Sequence, residues 1–234
     1  MLKIKELHTS IGNLKIIQGV SLEVKEKEAV SLMGGNGAGK TTFMRAISGL
    51  GEISGGSIEF MGENITHWTP KKIVEAGLIQ IPEGRQLFSL MTVKENLEMG
   101  AGTGKAREKM KDSLEFVYSL FPELEGMSSK AAGNLSGGQQ QMVAIGRGLM
   151  ADPKLLLLDE PSIGLSPIMT QKVLEAVINI RKKGVAVLIA EQNIFDVLKI
   201  VDRAYVLEQG RIRKEGTAKE ILESKEIKEM YLGL

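Results

Sequence analysis

The chain has 234 residues, enough to bury a sizeable core as one domain or as one domain with a lobe. Its 30 Lys and Arg are balanced by 29 Asp and Glu, interspersed, for a net charge of +1, so no electrostatic footprint argues for nucleic acid or an anionic membrane surface. The absence of cysteine excludes disulfides and thiolate metal sites, and the longest apolar runs fall far short of the roughly 18 residues a membrane helix requires.

The N-terminus Met1-Leu2-Lys3-Ile4-Lys5-Glu6-Leu7 alternates like a strand and lacks the apolar stretch of a signal peptide. A soluble, cytoplasmic protein is expected. Residues 1–33 read as short strands with turns at Ile11-Gly12-Asn13 and Glu26-Lys27-Glu28, followed by a glycine-rich segment and a helix-like stretch from Thr42 to Leu50. Another strand and turn pattern runs from Gly55 to Asn64. Gly77 to Ile81 reads as a buried strand halted by Pro82, with Glu83-Gly84-Arg85 as a polar loop. From Val93 to Gly148 the spacing turns helical; Leu114, Val117, Tyr118 and Phe121 form one apolar face before Pro122 stops it. The pattern then returns to a strand at Lys154 to Leu158, a helix from Pro167 to Lys183 and a strand from Val185 to Ala190. Tyr205-Val206-Leu207 and Arg211-Ile212-Arg213 flank Glu208-Gln209-Gly210 as a hairpin, and a charged helix from Ala218 to Tyr231 closes the chain. Strand–helix alternation of this kind predicts a parallel sheet with ligand at the carboxyl ends of its strands.

Gly34-Gly35-Asn36-Gly37-Ala38-Gly39-Lys40-Thr41-Thr42 satisfies G-x-x-x-x-G-K-[ST] directly after the apolar run Ala29–Met33. It reads as a P-loop. Backbone N–H groups of Gly34, Asn36, Gly37, Ala38 and Gly39 can turn inward around phosphate oxygens, Lys40 supplies a point charge for the β- and γ-phosphates, and the Thr41 hydroxyl can ligate Mg²⁺. Thr42 begins a helix whose N-terminal dipole faces the same phosphates. An ordinary glycine-rich turn needs neither the lysine nor the hydroxyl. The look-alike Gly100-Ala101-Gly102-Thr103-Gly104-Lys105-Ala106 lacks both the first glycine and the final hydroxyl, and is rejected as a second phosphate site.

Leu155-Leu156-Leu157-Leu158-Asp159-Glu160 is an apolar strand ending in adjacent carboxylates, the pattern of a Walker B element. Asp159 would hold Mg²⁺, and Glu160 could act as general base on the attacking water. Leu135-Ser136-Gly137-Gly138-Gln139 precedes a helix-like run from Gln140 to Met150, offering a hydroxyl and N–H groups at a helix N-terminus as a second anion site. In this order the three elements resemble those of ABC-type ATPases, and the resemblance covers essentially the whole chain. It implies an α/β fold: a P-loop NTPase core with N-terminal antiparallel strands and an inserted helical subdomain. The expected division is a single ABC ATPase domain over 1–234, with core 1–87 and 152–234 and a helical subdomain at about 88–151. The resemblance further implies that Ser136, Gly137, Gly138 and Gln139 of one subunit complete the P-loop site of another, sandwiching two ATP molecules in a head-to-tail dimer.

Four positions depart from the family pattern. Ser166, at the end of a D-loop-like Pro161-Ser162-Ile163-Gly164-Leu165-Ser166, stands where many members carry aspartate, and Gln192 stands where most carry a switch histidine. Glu83 takes the place of a glutamine that reaches Mg²⁺ or water, so Gln80 reads as an ordinary strand residue. Ile11 takes the place of an aromatic that stacks on adenine. The strings Ile81-Pro82-Glu83-Gly84-Arg85-Gln86-Leu87-Phe88, Leu90-Met91-Thr92-Val93-Lys94-Glu95-Asn96-Leu97, Ala190-Glu191-Gln192-Asn193 and Tyr231-Leu232-Gly233-Leu234 resemble the second ATPase of branched-chain amino-acid importers. Urea-importer ATPases, close relatives with a tendency to glutamine at the Glu83 position, are the nearest alternative. The resemblance implies ATP and Mg²⁺ as cofactors, transmembrane permease subunits as partners, dimerisation with itself or with a paralogous ATPase, and an indirect link to a solute-binding protein. It places the chain peripherally on the inner face of the cell membrane.

Overall fold

Strand β1 (Leu2–Ile11) buries alternate residues, and a tight turn at Gly12-Asn13 returns the chain as β2 (Leu14–Val24). The computed structural model describes residues 1–232; Gly233 and Leu234 of the C-terminal tetrapeptide lie outside the described residues. After β3 (Ala29–Met33) and α1 (Lys40–Ile47), β4 (Ile53–Phe60) pairs antiparallel with β1, and the short β5 (Glu63–Asn64) pairs with β4. The resulting antiparallel sheet has the order β2-β1-β4-β5.

The second sheet is built from distant parts of the chain. Its strands are β3, β6 (Leu78–Ile81), β7 (Leu155–Asp159), β8 (Ala186–Glu191), β9 (Arg203–Glu208) and β10 (Arg211–Thr217), in the order β10-β9-β3-β8-β7-β6. All run parallel except β10, which folds back on β9. Every residue of β3, β7 and β8 is buried, which explains why they are apolar apart from Ser31 and the terminal Asp159 and Glu191: both faces of a parallel sheet are covered. Val30, Leu32, Leu155, Leu157, Leu188 and Ala190 pack with α1 and the antiparallel sheet. The alternate set, Met33, Leu156, Leu158, Val187 and Ile189, packs with the helices on the other face.

α2 (Pro70–Glu75) joins the first set through Ile73, whereas the helices of the other face include α3 (Val93–Gly100), α4 (Gly104–Glu108), α5 (Met110–Leu120), α6 (Pro122–Glu125) and α7 (Gly137–Leu149). They have no core of their own, since Leu97, Val117 and Met142 join the same cluster as the sheet. Gly100, in the rejected look-alike, serves close packing: a Cβ there would lie 2.0 Å from the Arg147 carbonyl oxygen. Val117 and Phe121 of the expected apolar face are buried, and Leu114 and Tyr118 pack partly against them. Pro122, however, does more than stop a helix; it occupies the first turn of α6, where its missing N–H is harmless.

α8 (Pro167–Lys182) and α9 (Ile194–Val197) flank β8 in sequence. The C-terminal helix is two helices, α10 (Ala218–Glu223) and α11 (Lys225–Leu232), because Ser224 is extended and its hydroxyl accepts from Lys214 Nζ at 2.6 Å. No described helix is long and apolar enough to cross a membrane.

Candidate functional site

The parallel register gathers the sequence candidates at one edge of the sheet. Met33 lies beside Glu191, Asp159 beside Ala190 and Ile81 beside Leu158, so the segments leaving β3, β6, β7 and β8 emerge together. Gly34 to Thr42 follows the first, Glu83 the second, Glu160 the third and Gln192 the fourth. Ligand sites belong at such carboxyl ends.

The loop after β3 is held closely from behind. A Cβ on Gly34 would lie 2.5 Å from the Leu207 carbonyl oxygen, and Gly39, with φ +108°, meets Ile17 of β2 in the same way at 2.9 Å. The β9–β10 turn is tied to it as well. Gly210 N–H donates to the Ala38 carbonyl at 3.0 Å, while Gln18 N–H donates to Gly210 at 2.8 Å. In front of the loop a cavity of about 290 Å³ is lined by Ile16, Asn36, Gly37, Ala38, Gly39, Lys40, Thr41, Thr42, Glu83, Glu160 and Ile163.

Lys40 is 5% exposed and its ammonium donates to the carbonyls of Gly34 at 2.7 Å and Gly35 at 3.0 Å. It is also paired with Glu160 Oε1 at 2.9 Å. Thr41 Oγ1 donates to Asp159 Oδ1 at 3.2 Å, whereas Asp159 Oδ2 is buried without a partner. Adjacent carboxylates diverge because Glu160 has left-handed backbone, φ +48°, a conformation that costs about 1–3 kcal/mol in a side-chain-bearing residue and clusters at functional sites.

A hydroxyl, a carboxylate with an orphaned oxygen and a neighbouring Glu83 make an oxygen donor set that fits a hard divalent cation. Among the described residues no group of three or more acidic, His or Cys side chains could hold a metal by itself. Mg²⁺ takes one or two protein ligands and completes its shell with phosphates and water.

Burial pushes the Asp159 carboxyl up to about 6, with Glu160 and Glu83 adding to the shift and Thr41 and Lys40 opposing it. The unfolded chain would release this proton near pH 4, so between about pH 4 and 6 the folded protein binds a proton that the unfolded one has lost. Stability therefore falls as pH rises through that window. Asp159→Asn is expected to raise stability at pH 7 in Mg²⁺-free buffer by on the order of 2 kcal/mol and to flatten the pH 4–6 slope. Urea unfolding at pH 5 and pH 7 measures both, and a variant no more stable than the parent at pH 7 would show that the buried carboxylate carries no strain.

Ile11 and the Ser136 to Gln139 segment lie off this cavity, and Gly34, Asp159 and Gln192 do not line it either. Ile11, at the end of β1, is 64% exposed and does not line it; Ile16 of β2, with no counterpart among the sequence candidates, does. Ser136, Gly137, Gly138 and Gln139 are likewise absent from its walls and form the start of α7. Ser136 Oγ accepts from Gln139 N–H at 3.4 Å and Gln139 Oε1 accepts from Ser136 N–H at 3.0 Å, a reciprocal cap that starts the helix three residues before Gln140. A Cβ on Gly137 would meet the Arg85 guanidinium at 3.1 Å.

Gln192 lines a second cavity of about 800 Å³, which shares Glu160 and Ile163 with the first and also contains Ser162 and Glu191. Glu191 went unremarked in the sequence except inside a longer string. Its signal was the one that marked Asp159: an acid closing an apolar strand.

Residues 17–163 match the family model of ABC transporters. The chain is 42% identical over the whole of both sequences to BraG of Pseudomonas aeruginosa, a high-affinity branched-chain amino acid transport ATP-binding protein. It is 32% identical to LivF of Archaeoglobus fulgidus, a probable branched-chain amino acid transport ATP-binding protein, covering 100% of this chain and 99% of that one. The crystal structure of a nucleotide-free ATP-binding cassette from an ABC transporter superposes with a TM-score of 0.87 at 29% identity, covering 100% of this chain and 99% of the other. The P-loop of β3, the carboxylates of β7 and these full-length matches together make the chain a member of the ABC transporter family, with the fold of its ATP-binding cassette.

Proposed function

We propose that this chain is the ATP-hydrolysing subunit of a branched-chain amino-acid importer, coupling ATP binding and hydrolysis at a head-to-tail dimer interface to movement of permease subunits. The observation that carries the ATPase reading is the meeting of Lys40, Thr41 and Glu160 at one cavity, with Asp159 accepting from the Thr41 hydroxyl beside it. The solute class is carried by the full-length identity of 42% to BraG.

In this reading the loop N–H groups and Lys40 hold the β- and γ-phosphates, Glu160 takes the proton of the attacking water, and Gln192 donates an amide hydrogen bond near the γ-phosphate. Thr41 and Asp159, with Glu83 beside them, would hold Mg²⁺, which supplies positive charge across the phosphate oxygens. Ile16 lines the wall where a nucleoside would extend beyond the phosphates. Ser136 to Gln139 lie off the cavity of their own chain, which supports their serving the site of a second subunit, a copy or a paralogue. ATPase activity per subunit should then rise steeply with protein concentration, whereas a flat rate would defeat the shared site.

The loop from Glu83 to Phe88 connects this cavity to the helical lobe, which we take as residues 88–151. Arg85 Nη1 donates to Gln140 Oε1 at 3.3 Å, Arg147 Nη2 donates to the Arg85 carbonyl at 3.2 Å, and the Arg147 guanidinium lies 5.5 Å from the Phe88 ring centre. Phe88 and Gln80 line a neighbouring groove, where a permease segment would sense a shift of the loop. A chain of this kind works in the cytoplasm against the inner face of the membrane. Vesicles holding this chain, a paralogous ATPase and two permease chains, given a solute-binding protein and ATP, are expected to take up leucine, isoleucine or valine. Phe88→Ala should lower uptake about tenfold while sparing most ATPase activity, the size of a typical coupling energy. Uptake of urea instead would overturn the solute class alone, and failure to bind any permease would overturn the transport reading.

A further inference from the structure

We propose that Glu191 is a positioning residue, whose buried carboxylate clamps the turn carrying Glu160 and fixes the start of the Gln192 segment, so that both groups are aimed at one phosphate. This rests on the ATPase reading above.

Glu191 is 1% exposed at the last position of β8. Both of its oxygens are used: Oε1 accepts from Ser162 N–H at 2.9 Å and Oε2 from Gln192 N–H at 3.2 Å. One residue earlier on the same strand, the Ala190 carbonyl accepts from Glu160 N–H at 2.9 Å. Pro161 has no N–H to give. The turn that follows β7 is therefore pinned to β8 through its two successive available donors, at Glu160 and Ser162, by Ala190 and Glu191. Between these pins Glu160 sits at φ +48°. Such a conformation persists only where the surroundings over-determine it, and the Glu191 carboxylate is half of the clamp that does so.

An acid is an expensive choice for a mere tether here. Burial and the neighbouring Glu160 both push the Glu191 carboxyl up, against the pull of the Ser162 and Gln192 contacts. The geometry supplies a reason for it: a carboxylate accepts two diverging N–H groups at once, from the turn bearing Glu160 and from Gln192, which a side chain with a single acceptor atom could not do as well.

The test separates reach from charge. Glu191→Leu keeps similar bulk without an acceptor, Glu191→Asp keeps the charge but falls one methylene short, and Glu191→Gln keeps an acceptor at full reach. Leu and Asp are each expected to lower kcat roughly 10²-fold, the size of effect that small misplacement of a catalytic group produces, while KM and the Kd for ADP stay within about threefold. Gln keeps one acceptor but sets its NH2 against the other N–H, so its turnover should fall between those of the parent and Leu. In a Glu160→Gln background the Leu substitution should cost far less than 10²-fold, since only the share acting through Gln192 is left to lose. Parent-like kcat in both the Leu and Asp variants would overturn the inference, as would a Gln variant as impaired as Leu. A parent protein without ATPase activity would instead overturn the functional reading on which it rests.

Discussion

Glu160→Gln is expected to lower the rate of ATP hydrolysis by about 10²–10⁴-fold, the range that a positioned general base contributes. The amide keeps the shape and the left-handed backbone but cannot accept a proton at neutral pH. It also ends the ion pair with Lys40, now 2.9 Å in length, so bound phosphates no longer compete with an internal carboxylate for the ammonium. Nucleotide affinity should be maintained or increased, for ADP as well as ATP. With hydrolysis blocked, ATP should hold two subunits together, visible as a shift to dimer in size-exclusion chromatography. A variant that hydrolyses ATP at the parent rate would remove Glu160 from the role of base.

Lys40→Ala should reduce nucleotide affinity by about 10²-fold, since two charge-assisted hydrogen bonds to phosphate are worth about 3 kcal/mol together. A second effect comes from Glu160, which is 8% exposed and would be left beside no cation. Unpaired buried carboxylates are costly, so a fall in unfolding stability should accompany the loss of binding. Lys40→Arg is not a rescue. A planar guanidinium cannot reproduce a compact ammonium lodged between the Gly34 and Gly35 carbonyls. Calorimetric titration with ADP measures the first effect, and parent-like affinity in Lys40→Ala would mean that the phosphates sit elsewhere.

The glycine-rich segment and Leu155 to Glu160 were legible because their chemistry is local: a turn needing glycines, a charge at a fixed offset, an acid at the end of a buried strand. Strand–helix alternation likewise gave away the parallel sheet. Other features depend on partners far away in the sequence. Ile16 lines the cavity only because β2 passes behind Gly39, and no periodicity within β2 announces that. Glu191 is bound by Ser162, from a different strand end, so its weight emerged only with the register of β7 against β8. The C-terminal helix reads as continuous because its charge pattern is continuous, while the break lies at an extended Ser224 that accepts from Lys214 of β10. Pro122 reads as a stop by its helix-interior cost, but the same ring is well suited to the first turn it occupies.

The strand order has a consequence for how the protein comes into being. β3, which launches the P-loop, lies between β8 and β9, and the loop is braced from behind by Leu207 and Gly210. A chain emerging from the ribosome thus exposes its Gly34 to Thr42 segment long before either neighbouring strand exists to set it. Contacts so distant in sequence fold slowly, and the largely apolar β3 has two unpaired edges while it waits. Nascent chains that end before β9 should neither bind nucleotide nor stay free of aggregation, and the burden of protecting them during synthesis would fall on chaperones.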